Sequence, residues 1–402
     1  MATKTDQKPV SEMNGIERAN YAQPIIEKYE EEIEEGYRLP DEVIDVLWEI
    51  GMYQTFIPKE CGGEEMDPIE WLHMGERLSA INGSIGWLAM NNCGFFMNYL
   101  PPEKFEEIKD EKGRYIHAMQ IGRWGGMARK VEGGYQISGR WPFMSGAPEA
   151  THVGGASILV DDEGQTVMHP DGLPWLIMGQ WPAEQTTFID TWDGLGLRGT
   201  GSIDMVVEDL FVPTDMVNEM GFHGLTYDRP MFRIRLLPVH AHASHALGLA
   251  QAALDEFTRI MTEKAAPGSI RKMLMGNEQI HQINYAKADS MVRSARLFTH
   301  QTVIDALENA EKGKDCDLEH KVLLRQAMVY TTQVCKEAVD LIFHMAGSSA
   351  VFRGRKLEKI FRDMATAWNH IITAEVELAS CGSYWITRNM PGGPHLAGRK
   401  FL

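Results

Sequence analysis

The sequence predicts an α+β protein built as an N-terminal helical domain, a central β-barrel or sandwich and a C-terminal four-helix bundle. Three observations predict this. Apolar residues recur at helical spacing through roughly the first hundred positions. The period then switches to short alternating runs cut by Gly- and Asp-rich turns, and long helical periodicity returns beyond about position 238. A chain of 402 residues exceeds one ordinary core, and 44% hydrophobic with 24% charged residues is a globular composition.

Residues 1 to about 14 read as a polar tail, and helical spacing begins at Ile16. Pro40, Asp41 and Glu42 open a second helix, which Gly51 stops, and Cys61-Gly62-Gly63 marks a turn. Pro68 to Ile81 and the apolar stretch Gly86 to Leu100 read as two further helices. Strands are expected at Tyr115–Gln120, Gly134–Ser138, Val153–Val160, Trp175–Met178, Phe188–Thr191 and Asp204–Val207, with Pro213 closing the β region. A linker of about 221–238 leads to helices at His240–Thr262, Asn277–Asn309, Leu318–Ala346 and Leu357–Trp385, long enough for antiparallel packing. The expected boundaries are 1–114 for the helical domain, 115–225 for the β-domain, 226–390 for the bundle and 391–402 for a tail.

Charge narrows the partners. With 39 Lys plus Arg against 56 Asp plus Glu, a formal charge of −17 repels a phosphate backbone or an anionic bilayer, so nucleic acid and membrane are not expected. The acidic run Glu27 to Glu35 reads as a solvated helix face. Five scattered cysteines without a CxxC pair fit no disulfide framework or structural zinc and suit a reducing cytoplasm. The polar start MATKTDQKPVSE has no apolar h-region, and no apolar run reaches the roughly 18 residues of a membrane helix.

Common catalytic signatures are absent: no GxxxxGK[ST], no GxSxG and no HExxH occurs. The glycines Gly194, Gly196, Gly199 and Gly201 lie in the β region, without the strand-to-helix setting of a dinucleotide fingerprint. His240, His242 and His245 cluster in HAHASH, but the first two do not share a helix face and no carboxylate or cysteine stands at ligand spacing, so no metal site is expected. On a continuous helix, Asp363, Thr366 and His370 fall at i, i+3 and i+7 on one face. Such a face either buries His370 as a satisfied core residue or holds it over a reactive centre.

Three motifs decide in favour of the second reading. Gly134-Tyr135-Gln136-Ile137-Ser138-Gly139-Arg140-Trp141-Pro142-Phe143-Met144-Ser145-Gly146 resembles the first β-domain motif of the acyl-CoA dehydrogenase superfamily. Asp193 to Ser202 with Val207 to Pro213 is similar to the second, and Ala346-Gly347-Ser348-Ser349-Ala350 leading to Arg362-Asp363 is similar to the C-terminal one. They lie in the family's order over nearly the whole chain. Within the superfamily the resemblance is nearest to the oxygenase components of two-component flavin-dependent monooxygenases, which carry GRWxFxSG and a histidine where the dehydrogenases carry a catalytic glutamate. Here that register falls at or beside His370.

The resemblance implies reduced flavin (FMNH2 or FADH2) delivered by a separate flavin reductase, O2, a C4a-hydroperoxyflavin and an aromatic or heteroaromatic small-molecule substrate. It assigns His370 to proton transfer and Ser145 to a hydroxyl against flavin N5 and O4. Cofactor contacts fall on Trp141, Phe143, Ser145, Gly347 and Ser348. For Trp141 and Phe143, two residues apart on one strand, barrel core is the competing role. Substrate contacts are expected from Phe95, Phe96 and His117. The resemblance also implies a homotetramer. The alternative is an FAD-containing, acyl-CoA dehydrogenase-like dehydrogenase or oxidase.

Overall fold

The computed structural model describes residues 8–122, 124–169, 172–219, 226–235, 237–265, 274–313 and 316–394. The expected tail 391–402 and linker 221–238 lie partly outside them. The first helices are α1 (Gly15–Lys28), α2 (Glu30–Glu35), α3 (Asp41–Glu49), α4 (Pro68–Ile81), α5 (Gly83–Asn91) and α6 (Pro102–Glu107). Their starts are written locally. Asn14 and Glu17 close a capping box on α1, and Asp67 accepts the Ile69 and Glu70 amides ahead of Pro68 on α4. The helix expected over Gly86–Leu100 starts earlier and ends at Asn91, because Gly94 takes φ +77 and turns the chain.

The strands are β1 (His117–Gln120), β2 (Gly126–Val131), β3 (Gly134–Met144), β4 (His152–Val160), β5 (Leu176–Pro182), β6 (Thr187–Ile189), β7 (Ile203–Pro213) and β8 (Val217–Glu219). They form one mixed sheet in the order β6-β7-β3-β2-β4-β5-β8, with β1 on β4. Trp141 of β3 and Trp181 of β5 have ring centroids 5.8 Å apart, although two strands separate them. Strands three spacings apart in a flat sheet stand about 14 Å from each other. The sheet is therefore curled around these indoles.

The remaining helices are α7 (Pro230–Arg233), α8 (Leu237–His240), α9 (His242–Glu263), α10 (Gln279–Glu311), α11 (Leu318–Ala346), α12 (Lys356–Trp368) and α13 (Glu377–Thr387). The single helix expected over Leu357–Trp385 is broken. α12 stops at Trp368, and a 3-10 turn over Ile371–Thr373 is capped by His370, whose Nδ1 accepts the Ile372 amide at 3.4 Å. One apolar core runs from the N-terminal helices into the sheet and a second fills the bundle. Among the described residues, no helix is long and apolar enough to cross a membrane.

Candidate active site

Trp87, on α5, is the meeting point of the three regions. Asn82 caps α5 by accepting the Ser84 and Ile85 amides, and Gly83 and Gly86 let the helix lie close to its neighbours. A Cβ at Gly83 would stand 2.6 Å from Asp363 Oδ2, and one at Gly86 would stand 2.0 Å from Ser79 Oγ. The Trp87 indole meets three imidazoles edge-on: His242 at 5.1 Å, His245 at 5.3 Å and His370 at 5.5 Å between centroids. His242 and His370 also stack on each other, 4.8 Å apart with planes 28° from parallel.

From the sheet side comes a line of hydroxyls. Trp87 Nε1–H donates to Ser145 Oγ at 3.0 Å. Ser145 Oγ lies 2.7 Å from Ser202 Oγ, which lies 2.6 Å from Thr200 Oγ1. Thr200 then donates to the Leu197 carbonyl at 2.8 Å. That carbonyl belongs to a clamped loop: Asp363 accepts the Leu197 amide at 2.6 Å and Thr366 accepts the Gly196 amide at 2.9 Å. Leu197 sits at φ +54, unfavourable for a branched side chain, and the Asp363 bond holds it there. Lys359 donates to the other Asp363 oxygen at 2.7 Å.

Two of the histidines beside Trp87, His242 and His245, are held toward the neutral form. Burial drives the His242 pKa well below its ordinary value, with the charge of His370 next in weight. His245 is lowered to about 4, also by burial. A carbonyl can only accept, so the 2.7 Å approach of His242 Nδ1 to Val239 O puts the proton on Nδ1. His242 Nε2 then carries a lone pair, buried and without a hydrogen-bond partner among the described residues.

These groups suit a flavin. Ser145 is half-buried rather than sealed, Phe143 presents an exposed ring at φ +63 and packs edge-on against Trp192 at 6.3 Å, and His242 contributes a desolvated acceptor.

Ser145 and His370 thus meet through Trp87, but His370 does so from the turn after α12 and not from the helical face shared by Asp363 and Thr366. His117 is tied to Ser145 by Asn92, whose Nδ2 donates to the His117 carbonyl at 2.8 Å and to the Ser145 carbonyl at 3.2 Å. Burial, then the charge of His152, lowers the His117 pKa to about 3, and its Nε2 has no hydrogen-bond partner among the described residues. Phe96 packs with Met119, Ala156, Ile158, Leu176 and Met178 in an apolar patch. Phe95 is instead a core ring, packed edge-on on Phe56 and Phe96 at 5.5 Å.

Trp141 departs from the expectation. It is fully buried, donates to the Ala156 carbonyl at 2.8 Å and offers no ring face to a cofactor. The register of β3 shifts between Trp141 and Met144, so Trp141 and Phe143 do not share a face. Gly347 and Ser348 lie in a 3-10 turn directly after α11, with the whole of α12 between them and the Trp368–His370 turn along the chain. Trp87, His242, His245, Asn92, Thr200 and Ser202 were not among the expected site residues. HAHASH held two of them, and in the structure both rings pack edge-on against Trp87.

Residues 17–104 match the family described as acyl-CoA dehydrogenase, N-terminal domain, and residues 240–375 match acyl-CoA dehydrogenase, C-terminal domain. An indole-3-acetate monooxygenase of Acinetobacter baumannii is 29% identical over 353 residues, 85% of this chain and 86% of that protein. The oxygenase subunit HsaA of a flavin-dependent monooxygenase from Rhodococcus jostii is 25% identical, covering 87% of this chain and 91% of its own. In fold, the chain is similar to the 3-HSA hydroxylase of a Rhodococcus species, with a TM-score of 0.83 at 21% identity over 94% of this chain and 97% of that one. It is also similar to the dibenzothiophene monooxygenase TdsC of a Paenibacillus species, with a TM-score of 0.75 at 15% identity over 93% and 98%.

Proposed function

This chain belongs to the acyl-CoA dehydrogenase superfamily, and from that premise we propose that it is the oxygenase component of a two-component flavin-dependent monooxygenase acting on an aromatic or heteroaromatic small molecule. The observation that carries this reading is the junction at Trp87, which brings a hydroxyl from the sheet and imidazoles from the bundle to one point. A dehydrogenase needs a carboxylate base for the substrate α-proton, and the resemblance puts that register at or beside His370, where no carboxylate stands.

Reduced flavin, when bound, supplies the two electrons that let O2 place one oxygen atom on the substrate and leave the other as water. The chain's own residues do the rest. Ser145 holds the flavin edge through Oγ, while Phe143 packs its exposed ring against the cofactor. His370 exchanges a proton at Nε2, with Nδ1 turned to the Ile372 amide. His242, stacked on His370 and buried, excludes water from that imidazole and keeps a neutral neighbour beside it. Phe96 and its apolar patch face the aromatic substrate, His117 supplies a polar contact, and Phe95 backs Phe96.

A flavin reductase delivers the reduced cofactor, and the protein works in the cytoplasm. Gly347 and Ser348 supply further flavin contacts, from this copy or from another copy of the homotetramer that the family implies. Turnover tests the proposal. Chemically reduced FMN or FAD with O2 should hydroxylate members of an aromatic panel. Tightly held oxidised FAD with reductase-free turnover of an acyl-CoA would overturn it.

A further inference from the structure

The chain from Ser145 to Leu197 has a direction that can be counted. It contains three oxygen–oxygen contacts, at 2.7, 2.6 and 2.8 Å, and each needs one proton because two bare oxygens that close repel. Three hydroxyls supply three protons, one each. The far end is the Leu197 carbonyl, which can only accept. One assignment satisfies all three contacts: Thr200 donates to Leu197 O, Ser202 donates to Thr200, and Ser145 donates to Ser202. Ser145 in turn accepts from Trp87 Nε1–H at 3.0 Å. Its proton is thereby committed inward, and what remains toward the half-open side is one lone pair.

We propose that Thr200 and Ser202 are positioning residues that fix the direction of the Ser145 proton, and thereby make the site select reduced over oxidised flavin. This rests on the reading above that Ser145 meets the N5 edge of a flavin. The two redox forms differ at that atom: reduced flavin carries N5–H and donates, while oxidised flavin has a bare N5 and only accepts. A Ser145 oxygen with a free lone pair and no free proton accepts from the first and opposes the second. Turning the Ser145 proton outward would strand one contact in the chain, and Thr200 and Ser202 are buried, 0% and 4% exposed, where water does not make up the loss. The Leu197 end is itself pinned by Asp363, so the chain does not relax by moving the acceptor.

The test is binding, not turnover. Oxidised and reduced FMN and FAD are titrated, the latter anaerobically, into the wild type, Thr200→Val, Thr200→Ser and Ser202→Ala. The wild type should favour the reduced form. Thr200→Val has nearly the same shape but cannot donate to Leu197, and Ser202→Ala has no hydroxyl to receive the Ser145 proton. Both should gain affinity for oxidised flavin and narrow the preference about tenfold, the size of one hydrogen bond. That is a fall of about 30 mV in the two-electron potential of the bound flavin. Thr200→Ser, which keeps the hydroxyl, should retain the wild-type ratio.

A role confined to packing would weaken both redox forms alike. An unchanged ratio or a parallel loss in Thr200→Val and Ser202→Ala overturns the proposal while leaving the flavin site standing. If the wild type binds neither form, or Ser145→Ala leaves both affinities unchanged, the site reading itself fails and the proposal with it. Should Thr200→Val not fold, Ser202→Ala carries the same comparison.

Discussion

The imidazoles of His242 and His370 stack at 4.8 Å, and the Trp87 indole meets both edge-on. Since burial holds His242 neutral, His370 is the member of the pair placed to exchange a proton. We expect His370→Ala to lower coupled hydroxylation about 100-fold or more, the scale of general acid–base catalysis, with flavin binding and the overall fold retained. Wild-type coupling in a product-to-oxygen assay would remove His370 from this role.

Ser145 connects the flavin reading to the sheet through its bonds to Trp87 and Ser202. In Ser145→Ala the share of consumed O2 released as hydrogen peroxide should rise about fivefold, roughly one hydrogen bond lost. A peroxidase-coupled assay reads this directly, and an unaltered peroxide share counts against the assignment.

Asp363 is 1% exposed at its side chain and pairs with Lys359, 12% exposed, while also accepting the Leu197 amide. Asp363→Ala leaves a buried ammonium with, among the described residues, the 3.4 Å contact to Glu34, and an amide that has lost its acceptor. We expect a loss of about 3 kcal/mol in denaturant unfolding, and a smaller loss for Asp363→Asn, which keeps one acceptor. Equal stability of Asp363→Ala and wild type would refute the clamp.

Buried groups set the pH dependence. His117 and His240 are lowered to about 3, and His152 and His245 to about 4, all first by burial. With pKa values depressed below the unfolded value of about 6.5, their contribution is present above that pH and is lost as pH falls from there toward 4. A melting temperature that stays level between pH 7 and pH 5 would contradict this.

Glu149 has the opposite sign. Burial raises its pKa to about 8, and neither carboxylate oxygen has a side-chain partner among the described residues. Its neutral form is favoured in the fold, so its contribution is present below the unfolded carboxyl value and disappears as pH rises through about 8. Glu149→Gln should therefore stabilise the protein increasingly from pH 6 to pH 8 and change little at pH 5. A pH-independent difference from wild type would sink this assignment.

Local signals were legible where the chain itself carries them. Pro68–Ile81 and Leu318–Ala346 are visible end to end, because an Asp cap or a Pro start precedes unbroken helical spacing. β2 was hidden: its core positions are Gly126 and Ala128, small because Trp141 fills the space beside Gly126, so GMARKV lacks the alternation of a strand. The break after Trp368 was hidden too, since the residues on both sides keep apolar spacing and the stop comes from the His370 cap and the Thr373 hydroxyl bonded back to the Trp368 and His370 carbonyls.

By itself the sequence determined the order of three periodicities, the motifs that mark the superfamily, and the presence of Ser145 and His370 as candidate chemistry. Tertiary structure decided which residues meet: Trp87 with Ser145 and three histidines, Asp363 with Leu197, and Trp141 inside the sheet instead of at its face. The reason is one of range. Periodicity and capping act over a few residues, whereas the stacking of residues 242 and 370 and the direction of the Ser145 proton depend on how helix, loop and strand dock across the whole chain.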